Sequence, residues 1–413
     1  MLIKGAHVIT PGKDLGIASV RITEGRIAEV GGCIAAKSGE ETVDAGGLTL
    51  LPGFVDIHSH GRGGADFCDA KDEAFDTIGR GKLKDGVTGF LATGLTRPEE
   101  DLAEMCLAVE RYKRGTGNGE RIPRAKRVAE GDALAGVGTG NGCGATCLGV
   151  HLEGPFFNGE MAGAQNPAYL KKPDAALVKR LDAISPIRKV SLAPELDGAE
   201  DCIRELAEIG IVSSGGHSAA DYDTFERSRK AGMTHLTHFC NAMMPIHHLR
   251  PTMVTGGLLA DDVFVEIITD GVHLSDPMIR LIAKAKGPNR VMIITDAMCA
   301  AGEPDGMYSL GGLRVKVDNG RATLADVPYD PKAVVSNVAG SVALFPDCFR
   351  RWVRLCGFPL HEAIKAAGYN QLRSLGIVDR GEIAVGQVAD LVLLDDSLAP
   401  RMTMVGGRVL MRS

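Results

Sequence analysis

His58 and His60 stand two residues apart in Asp-Ile-His-Ser-His, and an apolar run ends just before them. Two residues apart on a strand means one shared face, so both imidazoles point the same way. Four further motifs follow in order: His151-Leu-Glu153-Gly-Pro, Gly-Gly-His217-Ser, Thr-His238-Phe-Cys-Asn241-Ala-Met and Ile-Thr-Asp296-Ala-Met. Each follows or closes a short apolar run and offers an imidazole or a carboxylate. Mixed nitrogen and oxygen donors suit a borderline divalent ion: Zn²⁺ first, with Fe²⁺, Mn²⁺ or Co²⁺ as alternatives. Such an ion lowers the pKa of its water toward about 7, and a nearby carboxylate can then move the proton. Asp296, closing the last of these runs, is the candidate for that role. His58, His60, Glu153, His217 and His238 are the candidate ligands. His151, two residues before Glu153 on the same face, sits deeper and reads as a supporting histidine. His235 falls on the opposite face from His238 and reads as structural. Of 11 histidines, nine lie between His58 and His273, which is not a random scatter.

Eight apolar runs can carry these residues. They are Gly53–Ile57, Val87–Ala92, Leu148–Leu152, Val190–Ala193, Ile211–Ser213, Met233–Thr237, Val263–Ile268 and Val291–Ile294. Between them lie stretches such as Ala175–Leu181 and Asp201–Ile209, with apolar residues at three- and four-residue steps. Alternating strands and helices imply parallel strands and right-handed crossovers, hence a (β/α)8 barrel. Chemistry on such a barrel sits at the C-terminal ends of its strands, where all five motifs fall. Residues 1–51 and 381–413 instead show short strands and turn signals such as Glu24-Gly25 and Gly406-Gly407. They are expected to meet in a small β-sandwich flanking a barrel over residues 52–380. Two segments interrupt the pattern. Residues 113–147 are rich in Gly, Arg and Lys and read as a long excursion, and residues 303–335 read as a hairpin inserted after Asp296.

With 413 residues, 45% of them hydrophobic and 24% charged, the chain has the balance of a soluble protein with a sizeable core. A formal charge of −6 gives no reason to expect nucleic acid or an anionic membrane as partner. No apolar run reaches 18 residues, so no membrane span is expected, and the start reads as a strand rather than a signal peptide. Ten scattered cysteines without a regular framework suggest reduced thiols in the cytoplasm. The Cys143–Cys147 spacing lacks the second pair that a zinc knuckle needs.

The motif series, from Pro52-Gly-Phe54 to Gly386-Gln-Val-Ala-Asp-Leu391, resembles the amidohydrolase superfamily and, within it, the N-acetylglucosamine-6-phosphate deacetylases. The resemblance implies a TIM-like metal-dependent hydrolase barrel, a homodimer, and release of acetate from an N-acetylhexosamine 6-phosphate. It implies that Glu153, His217 and His238 hold one metal and that the His58–His60 pair makes room for a second. It implies substrate roles for Ala164, Gln165, Asn241, Ala242, His248, Arg250 and His273, and for Val338, Ala339 and Gly340 in a loop covering the sugar.

Two positions depart from the family pattern. Gly-x-His-Asn-Pro is usual, and its histidine helps to bind or polarise the substrate; here the stretch reads Gly163-Ala-Gln165-Asn-Pro167. His-His-Arg-Glu-Pro is also usual, and its arginine grips phosphate; here His247-His-Leu-Arg250-Pro251 moves the arginine by one place. Alternative substrates are therefore N-acetylgalactosamine-6-phosphate, an unphosphorylated N-acetyl sugar or an N-acyl amino acid. A non-catalytic metal-containing scaffold is a third reading; Asp296 together with all five candidate ligands argues against it.

Overall fold

The computed structural model describes residues 1–115, 144–328, 330 and 337–413. Eight parallel strands follow one another around the molecule: Phe54–Asp56, Val87–Gly94, Thr146–Glu153, Ile187–Leu192, Val212–Gly215, Met233–Leu236, Phe264–Ile267 and Val291–Ile293. Each is bonded to its sequence neighbour in the sheet. Bonds just past the strand ends link the last to the first: Asp296 N–H to the His58 carbonyl at 2.9 Å and His60 N–H to the Ala297 carbonyl at 2.8 Å. All eight apolar runs of the sequence lie on these strands.

The crossover helices form because their apolar residues line up on one side. In Ala199–Glu208 the buried residues are Ala199, Cys202, Ile203 and Leu206, a stripe at helical spacing that faces the strands. Asp174 caps Ala175–Asp182 by accepting from the Ala176 and Leu177 amides, and Asp221 caps Tyr222–Ala231 through Thr224. Among the described residues no helix is long and apolar enough to cross a membrane.

Both ends of the chain share one eight-stranded sheet. Its centre is C-terminal Leu391–Leu394 running antiparallel to Thr49–Pro52, which in turn pairs with Leu2–Thr10. The sheet curls on itself, so that the turn at Gly25 meets Ala389, whose amide it accepts, and Gly407. Its interior is a separate apolar cluster that includes Val8, Val20, Leu50, Leu391 and Met404.

The insertion after Asp296 is a three-stranded meander, Gly306–Leu310, Leu313–Asp318 and Arg321–Leu324. Asn319 and Gly320 at its tip have φ of 50° and 73°, which suits a tight hairpin turn. Its apolar side packs on Leu95, Met298 and Ala339 over the barrel mouth. Most of the basic excursion at 113–147, including Cys143, lies outside the described residues. The described cysteines form no disulfide.

Candidate metal centre

Five strand ends deliver six side chains to one point. His58 and His60 follow the first strand, Glu153 ends the third, His217 and His238 follow the fifth and sixth, and Asp296 follows the eighth. All six are buried. His217, His238 and Asp296 have φ of 46°, 28° and 50°. Left-handed backbone is uncommon for residues other than glycine and gathers at functional sites, where surrounding structure enforces it.

The donors form two groups that share Glu153. His58, His60, Glu153 and Asp296 make one, and Glu153, His217 and His238 the other; in each, the ligand atoms lie within 4.8 Å of one another. Glu153 divides its oxygens between neighbours. Oε1 is 3.2 Å from His58 Nε2, 3.1 Å from His238 Nε2 and 3.5 Å from His217 Nε2. Oε2 is 3.1 Å from His60 Nε2. Asp296 Oδ1 is 3.1 Å from His60 Nε2 and 3.4 Å from His58 Nε2.

This arrangement fits a cation. His58 Nε2 is buried and makes no hydrogen bond although two carboxylates face it. The Nε2 atoms of His217 and His238 converge to 3.0 Å. His217 Nδ1 donates to the Met161 carbonyl at 2.9 Å, so its Nε2 is left with a lone pair aimed into the site. Burial pushes the His58 imidazole down, but Glu153 and Asp296 outweigh it and raise it to about 9. The same contest raises His60 well above its ordinary value. Burial would raise Glu153 and Asp296, yet the neighbouring histidines hold both below the usual carboxylate range. These acids demand nearby positive charge, which a divalent ion supplies without protonating the rings.

A cleft of about 520 Å³, mouth included, opens onto the cluster. Of the ten substrate-site expectations, seven line it: Ala164, Gln165, Asn241, Ala242, His273, Val338 and Gly340. Ala339 is buried behind the lining, its N–H bonded to the Ala322 carbonyl. His248 and Arg250 stand exposed on a loop outside the lining. His151 bonds to Ser191 at 2.8 Å and lies beside, not within, either ligand group. His235 stacks on Phe264.

The sequence reading missed the floor of the site. Glu266 accepts from His58 Nδ1 at 3.1 Å and pairs with Lys189, and all three are fully buried. The signal was present: Glu266 interrupts the apolar run Val263–Ile268. Leu95 and Leu310, which supply an apolar flank to the cleft, were also passed over.

Comparison with known proteins agrees with this geometry. The model of the amidohydrolase family matches residues 49–410. The N-acetylglucosamine-6-phosphate deacetylase of Lysinibacillus sphaericus is 32% identical over 392 residues, spanning 94% of this chain and 92% of that protein. The human enzyme of the same name is 32% identical, spanning 90% of this chain and 85% of its own. A mutant N-acetyl-D-glucosamine-6-phosphate deacetylase from Mycobacterium smegmatis, solved in complex with N-acetyl-D-glucosamine-6-phosphate, superposes with a TM-score of 0.84 at 32% identity, covering 100% of this chain and 99% of that one. The Thermotoga maritima enzyme gives 0.82 at 33%, with 100% of both chains covered. Six imidazole and carboxylate side chains converging from five strand ends, in a chain similar to these enzymes along nearly its whole length, place it in the amidohydrolase family, among the N-acetylglucosamine-6-phosphate deacetylases.

Proposed function

We propose that the protein hydrolyses the acetamide of N-acetylglucosamine-6-phosphate, giving acetate and the free amino sugar phosphate. The observation that carries this reading is the convergence of Asp296 with two ligand groups at the base of one cleft. Glu153, His217 and His238 would hold one divalent ion, and His58 and His60 with Glu153 and Asp296 a second. A bound divalent ion, for which Zn²⁺ is the first choice, supplies an acidified water and polarises the amide carbonyl.

Asp296 does the proton work. The histidines hold it ionised, so it accepts the proton of the attacking water. It then passes that proton to the amide nitrogen as the carbon–nitrogen bond breaks. Ala164, Val338 and Gly340 enclose the sugar, with Ala339 backing the loop. Asn241, Ala242 and His273 stand where a phosphate would be received. Asp270, 2.8 Å from His273, outweighs burial and favours the charged imidazolium. His248 and Arg250 would close over the phosphate from the rim. Exposed Ile246 (47%) and Leu249 (76%) flank them, which favours a homodimer in which this loop meets a second copy.

One observation favours a second reading. Among the described residues lining the cleft, none is lysine or arginine. An unphosphorylated N-acetyl sugar would need neither. The deciding experiment compares kcat/KM for N-acetylglucosamine-6-phosphate, N-acetylgalactosamine-6-phosphate, N-acetylglucosamine and N-acetyl-D-amino acids. Preference for the first supports the proposal, and preference for an unphosphorylated compound overturns it. With the preferred substrate, Asp296→Asn should keep the ion at Glu153, His217 and His238, by elemental analysis, and lose roughly 10²–10⁴-fold in kcat.

A further inference from the structure

Gln165 occupies the place where the family resemblance expects a substrate-facing histidine, yet both ends of its carboxamide are already engaged by protein. Nε2 donates to Glu153 Oε2 at 2.7 Å, and Oε1 accepts from the Thr96 backbone N–H at 2.8 Å. The residue is 4% exposed. Its orientation has one solution: Thr96 N–H can only donate and an ionised Glu153 can only accept, so exchanging the amide oxygen and nitrogen would oppose like groups.

The consequence falls on Glu153. Its two oxygens serve different neighbours, Oε1 toward His58, His217 and His238 and Oε2 toward His60. A carboxylate shared between two ligand groups must not rotate, because rotation moves both oxygens off their positions at once. The other donors facing it are histidine nitrogens, which metal binding would redirect to the ion. The Gln165 amide has no such competing partner and would stay on Oε2 with an ion bound, and it adds no charge to compete with a cation. Thr96, in the loop after the second barrel strand, anchors the amide from behind. A hydrogen bond that orients a ligating carboxylate in this way tunes metal affinity.

We propose that Gln165 is a positioning residue for Glu153, holding it as the bridge between the two ligand groups, and that it is not the polariser of the substrate carbonyl. This inference rests on the metal-dependent reading above but not on the choice of substrate.

The test is zinc affinity, measured by competition with a chromogenic chelator on metal-stripped protein. Gln165→Met keeps the length and removes both hydrogen bonds. Gln165→Asn keeps the amide but is too short to reach both partners. Both variants should bind zinc about 10- to 100-fold more weakly than the parent. At saturating zinc, KM for the preferred substrate should stay within about twofold of the parent, as expected for a residue whose carboxamide is engaged by Glu153 and Thr96. Unchanged zinc affinity in a folded variant overturns the proposal. So does a large rise in KM at saturating zinc with affinity intact, which would make Gln165 a substrate contact. Should Gln165→Met fail to fold, Gln165→Asn decides alone. Absence of deacetylase activity in the parent would defeat the substrate assignment while leaving the zinc titration interpretable.

Discussion

His58 Nδ1 lies 3.1 Å from Glu266 Oε2 at the floor of the barrel, and Lys189 pairs with the other oxygen of the same carboxylate. His58 therefore donates from Nδ1 and turns Nε2 toward Glu153 and Asp296, the tautomer a ligand needs. Burial would push Glu266 up, but Lys189 and His58 outweigh it and hold it down at about 2.

Glu266→Gln removes the anion and strands the buried Lys189. Breaking a buried pair on one side costs about 3–5 kcal/mol, so a loss of that order is expected in denaturant unfolding. Adding Lys189→Met should recover much of it, because the unpaired cation is then gone. A single variant as stable as the parent would mean that Lys189 is not charged beneath the site.

A second prediction concerns pH. His273 lies between burial, which pushes it down, and Asp270, which pushes it up and prevails. A raised value keeps the imidazolium below it and loses it as pH climbs through it. Asp270→Asn should move that loss to lower pH, because burial then faces only the weaker pull of Asp296. KM for a phosphorylated substrate should then rise with pH earlier in the variant than in the parent, by up to roughly tenfold where only the parent keeps its charge, the size of one charged hydrogen bond. An unphosphorylated analogue should show no such pH-dependent change. Equal effects on both substrates would remove His273 from phosphate binding.

Gly154 provides a third. It follows Glu153 with φ of +87°, and a Cβ there would lie 2.2 Å from Thr96 Oγ1 and 3.0 Å from the Phe157 ring. Gly154→Ala should cost at least about 1–3 kcal/mol from backbone strain alone and lower the metal content of purified protein. Gly210→Ala is the control, since φ is +72° but nothing lies within 4 Å of the added carbon. It should cost strain only and leave metal content unchanged. Equal loss of metal in both would separate the effect from Gly154's place beside Glu153.

The barrel was legible because each strand is a short apolar run, and strand ends are where imidazoles and acids become conspicuous. His58 and His60 could be placed on one face from their spacing alone. Partners across the barrel could not. Nothing local to Lys189 says that it meets Glu266, 77 positions away along the chain. Gln165 could be set beside the substrate only through its match to the histidine of Gly-x-His-Asn-Pro; the fold adds that it meets Glu153 and Thr96. The rim position of His248 and Arg250 depends on a loop path that side-chain periodicity does not encode. The meander over the mouth was foreseen as a hairpin from its Asn319-Gly320 turn, and its additional strand, Gly306–Leu310, carries a weaker alternation.

The closing bonds between Asp296 and His58, and between His60 and Ala297, have a consequence for biosynthesis. They are the seam where the cylinder shuts, and the reactive centre sits on it. The earliest barrel segment to leave the ribosome must wait for the latest before its two imidazoles gain a carboxylate across the join. A nascent or truncated polypeptide ending before Val291 would carry five of the six donors and still lack Asp296, so the centre is completed only when the last strand is in place.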